Sequence, residues 1–277
     1  MIILVGIDDT DSLDSRGTNK LARAIAEQLA PRFACRLIVR HQLLFDERIP
    51  FTSHNGSAGL WLEPIIAEPT AGDLTSLAEE IRAAMLSDFI PGSDPGLCLA
   101  TCAGEAFSGG ERSAARRSNL TELYEWGRRC QCEIVTQAEA RALAERAGVH
   151  LEGLGGTNGG IIGALAAVGL THTGNDGRLV HWQTYPDDLS GSTAIAELRR
   201  RQIEVRVVAD NPLGSLTDDG RSTHRFQRSD GTALFDGVVD VGKHLRPNLR
   251  EYRAVLFVTK ASNPAAHNAE WTALKLK

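Results

Sequence analysis

Asp8, Asp9 and Asp11 bring three carboxylates into four positions, and Thr10 and Ser12 add hydroxyls among them. Carboxylate and hydroxyl oxygens suit a hard divalent cation, and hydroxyls also donate to phosphate oxygens. Carboxylates this close repel one another, so a cation or dense hydrogen bonding must offset the charge if all are ionised. Gly6–Ser12 therefore reads as a candidate metal and phosphate site, with Asp8, Asp9 and Asp11 as ligands. A turn followed by a helix cap uses the same residue types and is the competing account.

The elements around this stretch decide whether it is positioned for chemistry. The apolar run Ile2–Val5 predicts a short buried strand that delivers the acids at its carboxyl end. After the polar segment 13–16, Leu21, Ile25 and Leu29 carry helical spacing. Thr18 stands just before that helix, either as its N-cap or as a donor where the helix N-terminus favours an anion. Arg36–Leu44 predicts a second strand, and the polar loop 48–58 leads to a strand over Gly59–Leu62. That loop exceeds a tight hairpin, which favours a ligand contact, with Asn55 as its candidate. Asp73–Met85 predicts an amphipathic helix and Leu97–Ala100 a short buried strand.

A second informative stretch is Gly153–Gly160, running into the apolar segment Ile161–Gly169. A glycine-rich loop that feeds a helix N-terminus is a sound anion cradle, with Gly155, Gly156, Thr157 and Gly160 as candidate contacts. No Gly-Lys-Ser/Thr closes it, so it is not a Walker A loop, and it does not fit the dinucleotide fingerprint. Gly104–Arg117 predicts a linker or mobile loop. Its Arg112, Arg116 and Arg117, with Arg128 and Arg129 beyond, form a local basic concentration, either a phosphate contact or a solvated helix face. Thr136–Gly148 predicts a surface helix with Thr136 as cap and Glu139 completing a capping box. Further on the pattern gives strands over Leu179–Gln183, Glu204–Val208 and Tyr252–Thr259, a helix over Ser192–Arg201, a loop over Asp210–Thr223 and a peripheral tail after Ser262.

The 277 residues, 42% hydrophobic and 23% charged, suit a soluble globular chain with two domains, or one domain with a large elaboration. A net charge of -5 argues against a broad electrostatic grip on nucleic acid. No apolar run reaches the length of a membrane span and no signal pattern opens the chain, so no membrane partner and a cytoplasmic location are expected. The five cysteines, Cys35, Cys98, Cys102, Cys130 and Cys132, are expected to be reduced thiols; their spacing does not fit a zinc ribbon.

Gly6-Ile7-Asp8-Asp9-Thr10-Asp11-Ser12, then Thr18, then Ile49-Pro50-Phe51 to Asn55-Gly56, then Gly160–Ala167 stand in the order found in one family. In these motifs the chain resembles the TiaS family, archaeal synthetases that attach agmatine to the wobble cytidine of an isoleucine tRNA. The resemblance implies an N-terminal kinase-like α/β domain (1–118) that binds ATP and Mg2+, followed by a ferredoxin-like α+β domain (119–277). It implies Asp8, Asp9 and Asp11 as the metal and phosphate group. It makes Thr18 the counterpart of a threonine that becomes phosphorylated, although Gly17-Thr18-Asn19-Lys20 stands where the family carries Cys-Thr-Thr-Tyr. The family's OB-fold and zinc ribbon, which grip the tRNA, are expected to be missing.

Two classes of function follow. One is an ATP- and Mg2+-dependent ligase-type enzyme that activates an acceptor, such as a tRNA cytidine, for attack by a small-molecule amine. Asp8, Asp9, Asp11 and Thr18 would be catalytic, and Thr10, Ser12, Asn55, Gly155, Gly156, Thr157 and Gly160 would contact the nucleotide or acceptor. The other is a binding module without turnover, for a nucleotide or polyamine, or a subunit of an RNA-modifying complex.

Overall fold

The apolar run at the N-terminus forms β1 (Ile2–Asp8), buried at every position, in a computed structural model. The structure describes residues 1–8, 10, 17–49, 55–65, 69–87, 92–102, 112–182, 189–208 and 231–274, with backbone alone at 112–119 and 266–267. The chain divides into two compact units, Met1–Gln183 and Thr184–Leu276. The fold is mixed α+β.

In the first unit β1 is followed by α1 (Thr18–Leu29), β2 (Phe33–Gln42), β3 (Gly56–Pro64), α2 (Ala71–Ser87) and β4 (Gly96–Cys102). The strands pair in the order β4-β1-β3-β2, with every neighbour antiparallel. This βαββαβ arrangement is the ferredoxin-like one, and residues 2–102 build it. Each predicted element of this region is present, and the strands run longer than their apolar centres suggest.

The chain continues with α3 (Arg112–Cys130), α4 (Gln137–Ala147), β5 (His150–Gly153), α5 (Ile161–His172) and β6 (Arg178–Trp182). β5 pairs with β4 and β6 with β2, extending the same sheet at both edges. The boundary expected near residue 118 therefore falls inside the first unit, because these later strands hydrogen-bond to earlier ones. The expected linker 104–117 is helical from Arg112 onward; its earlier part lies outside the described residues.

Strand alternation sends successive side chains to opposite faces. Ile3, Val5 and Ile7 pack with Leu21, Ile25 and Leu29 of α1 and Leu77, Ile81 and Met85 of α2. Ile2 and Leu4 pack on the other face with Leu123 and Trp126 of α3, Leu143 of α4 and Ile161, Leu165 and Val168 of α5. Each such side chain contributes about 1.5–3 kcal/mol on burial. α5 sits unusually close to the sheet because β1 offers Gly6 beneath it: a Cβ there would come 1.9 Å from the Ala164 carbonyl oxygen.

The second unit runs β7 (Ser192–Ala194), α6 (Ile195–Arg200), β8 (Ile203–Val207), β9 (Thr232–Leu234), β10 (Val238–Asp240), β11 (Asn248–Arg250), β12 (Arg253–Lys260), α7 (Pro264–His267) and β13 (Trp271–Ala273). β12, the predicted closing strand, pairs with β8, β11 and β13, and β10 joins β13 to β7. The segment after Ser262 is not peripheral, since β13 hydrogen-bonds to both β12 and β10. The start of the expected helix over 192–201 is the strand β7, drawn into extended form by pairing with β10. The predicted loop 210–223 lies outside the described residues. No helix among the described residues is long and apolar enough to cross a membrane.

Candidate phosphate and cation site at the end of strand β1

The alternation that buries Ile3, Val5 and Ile7 against α1 and α2 turns Gly6 and Asp8 toward α5. Asp8 ends β1 and is 8% exposed. Its carboxylate lies against the first turn of α5, in space left by the missing side chain of Gly163. A Cβ there would sit 1.7 Å from Asp8 Oδ2. The positive end of the helix macrodipole favours a carboxylate at this position. Asp8 also reaches Cys130: burial pushes that thiol well above its ordinary range, and the Asp8 charge adds to the effect.

Two residues beyond Asp8, the buried Thr10 donates from Oγ1 to Thr18 Oγ1 at 3.0 Å. Thr18 is the first residue of α1, and the cap is Gly17, in the left-handed region at φ 83 with no side-chain cap bond. The N-cap reading of Thr18 is thereby corrected. Its hydroxyl turns to Thr10, and Gly17 takes a backbone conformation that a side chain would strain. The end of β1 thus meets the start of α5 through Asp8 and the start of α1 through Thr10.

The glycine-rich loop stands at the same end of β1, where Gly160 comes up against the Asp8 carbonyl. Thr157 donates from its backbone N–H to Asp94 Oδ1 at 2.8 Å and from its hydroxyl to Asp94 Oδ2. The Gly160 N–H donates to the Asp94 carbonyl at 2.9 Å, and the Leu154 N–H to the Pro95 carbonyl at 2.8 Å. Gly156 takes φ 56 with no room for a Cβ beside Asp94. Gly155 accepts from the Asn158 N–H at 3.0 Å. The loop does feed a helix N-terminus, as the sequence predicts. Both Thr157 donors, however, are taken by Asp94, a residue that reads in sequence only as part of an Asp-Pro-Gly turn.

Asn55 ties the neighbouring strand ends together. Its side chain donates to the Leu44 carbonyl at 2.8 Å, and its own carbonyl accepts from the Leu43 N–H at 2.9 Å. Asp9, Asp11 and Ser12 lie outside the described residues, as does 50–54 of the polar loop. Among the described residues no group of three His, Cys, Asp or Glu side chains is arranged to hold a metal.

A buried polar network that sequence reasoning missed lies next to these residues. His41, with no exposed surface, shares Nδ1 with Asp176 Oδ1 at 2.8 Å and Nε2 with Thr171 Oγ1 at 2.9 Å. Gln131 donates to both Asp176 oxygens. Beside His41 in the β2–β3 pair stands Ser57, 1% exposed, whose Oγ has no hydrogen-bond partner among the described residues.

The oxygens present here, the Asp8 carboxylate with the Thr10, Thr18 and Ser57 hydroxyls, are the donor types that a Mg2+-bound phosphate takes. Cys130 does not compete, since a hard cation such as Mg2+ takes oxygen in preference to sulfur. On donor chemistry the described residues fit the group. The basic concentration fits less directly: Arg129 is committed to Glu133 and Glu139 and lies over the Trp126 ring.

No family model matches the sequence, and no curated protein matches it. Among solved structures, the chain is similar to apo TiaS, a tRNAIle2 agmatidine synthetase, with 20% identity and a TM-score of 0.47 over 61% of this chain and 35% of that one. It is similar to TiaS in complex with tRNA(Ile2) and ATP at 21% identity and TM-score 0.48, over 61% and 36% of the two chains. A tRNA fluorescent labelling enzyme is similar at 21% identity and TM-score 0.47, over 61% and 36%. The matched part spans about a third of the length of these structures.

Proposed function

We propose that the first unit binds the phosphates of ATP with Mg2+ at the end of β1 and activates an acceptor for attack by an amine. One observation carries this reading: the Asp8 carboxylate at the end of β1 lies against the first turn of α5, and, two residues on, Thr10 bonds Thr18 at the start of α1. Helix N-termini and hydroxyls hold phosphate, and a carboxylate holds the cation that accompanies it. Bound Mg2+ supplies charge neutralisation as a phosphoryl or nucleotidyl group moves.

In this reading Asp8 would hold the cation, with Asp9 and Asp11, its neighbours in sequence, as the further carboxylates. Thr18, which accepts from Thr10, donates its own hydroxyl proton to a phosphate oxygen. The Gly155–Gly160 loop sets the floor that the nucleotide or acceptor meets, with Asp94 holding it rigid. The motif resemblance supports a tRNA cytidine as acceptor and agmatine as amine, and it supports Thr18 as a phosphate-handling residue.

The test is turnover of ATP with Mg2+ and total tRNA, with and without agmatine, read by mass spectrometry of nucleotides and nucleosides. Asp8→Ala should abolish Mg2+-dependent release of AMP or ADP while leaving the far-ultraviolet circular dichroism spectrum unchanged. Undiminished turnover in that variant sinks the assignment. ATP binding without any product identifies a binding module instead.

A further inference from the structure

Every other polar side chain named at the end of β1 is already engaged. Thr10 bonds Thr18, Thr157 bonds Asp94, Asn55 bonds the Leu44 carbonyl, and both ring nitrogens of His41 are taken. Ser57 Oγ is the exception among these hydroxyls: it is enclosed, it is polar and no described residue bonds it. The Oδ1 of Asn19, one residue into α1 after Thr18, is another buried oxygen without a partner among the described residues. Burying an unsatisfied hydroxyl costs stability, so such groups are rare and call for a reason.

Position supplies one. Ile7 faces Ala58 in the antiparallel pair of β1 and β3, so Asp8 and Ser57 are the next facing residues outward. Ile7 and Ala58 lie on the face covered by α1 and α2, which leaves Asp8 and Ser57 together on the α5 face. Facing residues of an antiparallel pair bring their Cβ atoms to about 4.5–5.5 Å. An unbonded hydroxyl thus stands beside the carboxylate that the proposed site is built on.

We infer that Ser57 is a ligand-contacting residue of this site, held unbonded in the free protein so that its hydroxyl donates to a phosphate oxygen of bound nucleotide. This rests on the phosphate-site reading above. It makes Ser57 a residue whose cost to the free protein is recovered on binding. The trade gives two effects of opposite sign. Removing the hydroxyl relieves the free protein of an unsatisfied group, and it removes a donor from the bound state.

The experiment compares the full chain with its Ser57→Ala variant by calorimetry, without ligand and with ATP and Mg2+. Alanine is smaller than serine and suits a strand packed this tightly, so the variant folds. In the free protein its melting temperature should rise by about 2 °C. Its Kd for ATP with Mg2+ should weaken about 10-fold or more, the effect of losing one hydrogen bond to a charged group. A lower melting temperature with unchanged affinity marks Ser57 as structural, bonded in solution to a buried water, and overturns the inference while the phosphate site stands. Absence of ATP binding by the unaltered chain overturns the phosphate-site reading and the inference with it.

Discussion

The carboxylate of Asp8 occupies the space that a side chain on Gly163 would fill, with a Cβ there only 1.7 Å from Asp8 Oδ2. One residue from the first strand and one from the first turn of α5, far apart in sequence, therefore define a single position. Gly163→Ala tests it. In a helix interior alanine is ordinarily favoured over glycine by about 1 kcal/mol. Here the clash outweighs that gain, since overpacking a well-filled core costs about 1–3 kcal/mol. The variant should lose stability in urea unfolding, and ATP affinity should fall with it because Asp8 is pushed aside. A stabilised Gly163→Ala protein would show that the carboxylate is free to move.

Asp94 holds the glycine-rich loop through the Thr157 N–H and hydroxyl. Asp94→Ala removes both acceptors and leaves the loop with its backbone bonds alone. Charged hydrogen bonds are worth about 1.5–3 kcal/mol, reduced here because the pair is exposed. The expected result is a loss of about 1–2 kcal/mol, with faster amide hydrogen exchange at Thr157 and Gly160 and unchanged exchange in β2. Protection that stays equal at Thr157 would contradict the strap.

The His41 network predicts a larger loss. Replacing His41 by alanine strips Thr171 Oγ1 and Asp176 of a shared partner in a site where His41 has no exposed surface. Such a deletion should cost about 2–4 kcal/mol. His41→Ala and Thr171→Ala should also be non-additive by about 1 kcal/mol in a double-mutant cycle. Additive losses would mean that the two side chains act separately.

The sequence carries the local half of this architecture. β1, α1, α2 and α5 follow from apolar spacing, and the turn into α4 follows from Thr136 and Glu139, whose reciprocal bonds form a capping box. Glycine-rich residues before Ile161 also point to a helix start, and α5 begins there. What the sequence does not carry is pairing across distance. Nothing around residue 94 indicates that its carboxylate will meet Thr157, and nothing local brings His41 to Thr171 and Asp176. Residues 119–182 read as part of a second domain, because nothing local shows that β5 and β6 pair with β4 and β2 much earlier in the chain. Thr18 looks like a cap from its position. Only the fold reveals that Gly17 takes that role and leaves the threonine hydroxyl to Thr10.

The cysteines give a chemical check on the same packing. Burial raises the Cys98 and Cys130 thiols well above their ordinary range and pushes Cys35 up to about 12. A thiolate is the reactive form, so these three should resist a disulfide reagent at neutral pH. Cys132 is exposed and should react first. Titration of the folded chain with such a reagent is expected to show one fast thiol, abolished by Cys132→Ser. A fast phase that survives this change would place a second cysteine at the surface.

Glu139 provides the pH dependence with the clearest sign. Its bond to Arg129, then its bonds to the Thr136 side chain and backbone, hold its carboxyl down at about 2. An unfolded glutamate titrates near 4.3, roughly. The folded value is the lower one, so the stabilising effect is present above the unfolded pKa and is lost as pH falls toward about 2. Glu139→Gln isolates the charge, because glutamine at this position still accepts from the Thr136 N–H in a capping box. The side chain is 42% exposed, so solvent screening keeps the effect small. Melting temperatures measured from pH 6 to pH 2 should fall more steeply for the unaltered protein than for Glu139→Gln, and the two curves should converge near the acid end. A constant gap across that range would assign the effect to the cap geometry and not to the Arg129 charge pair.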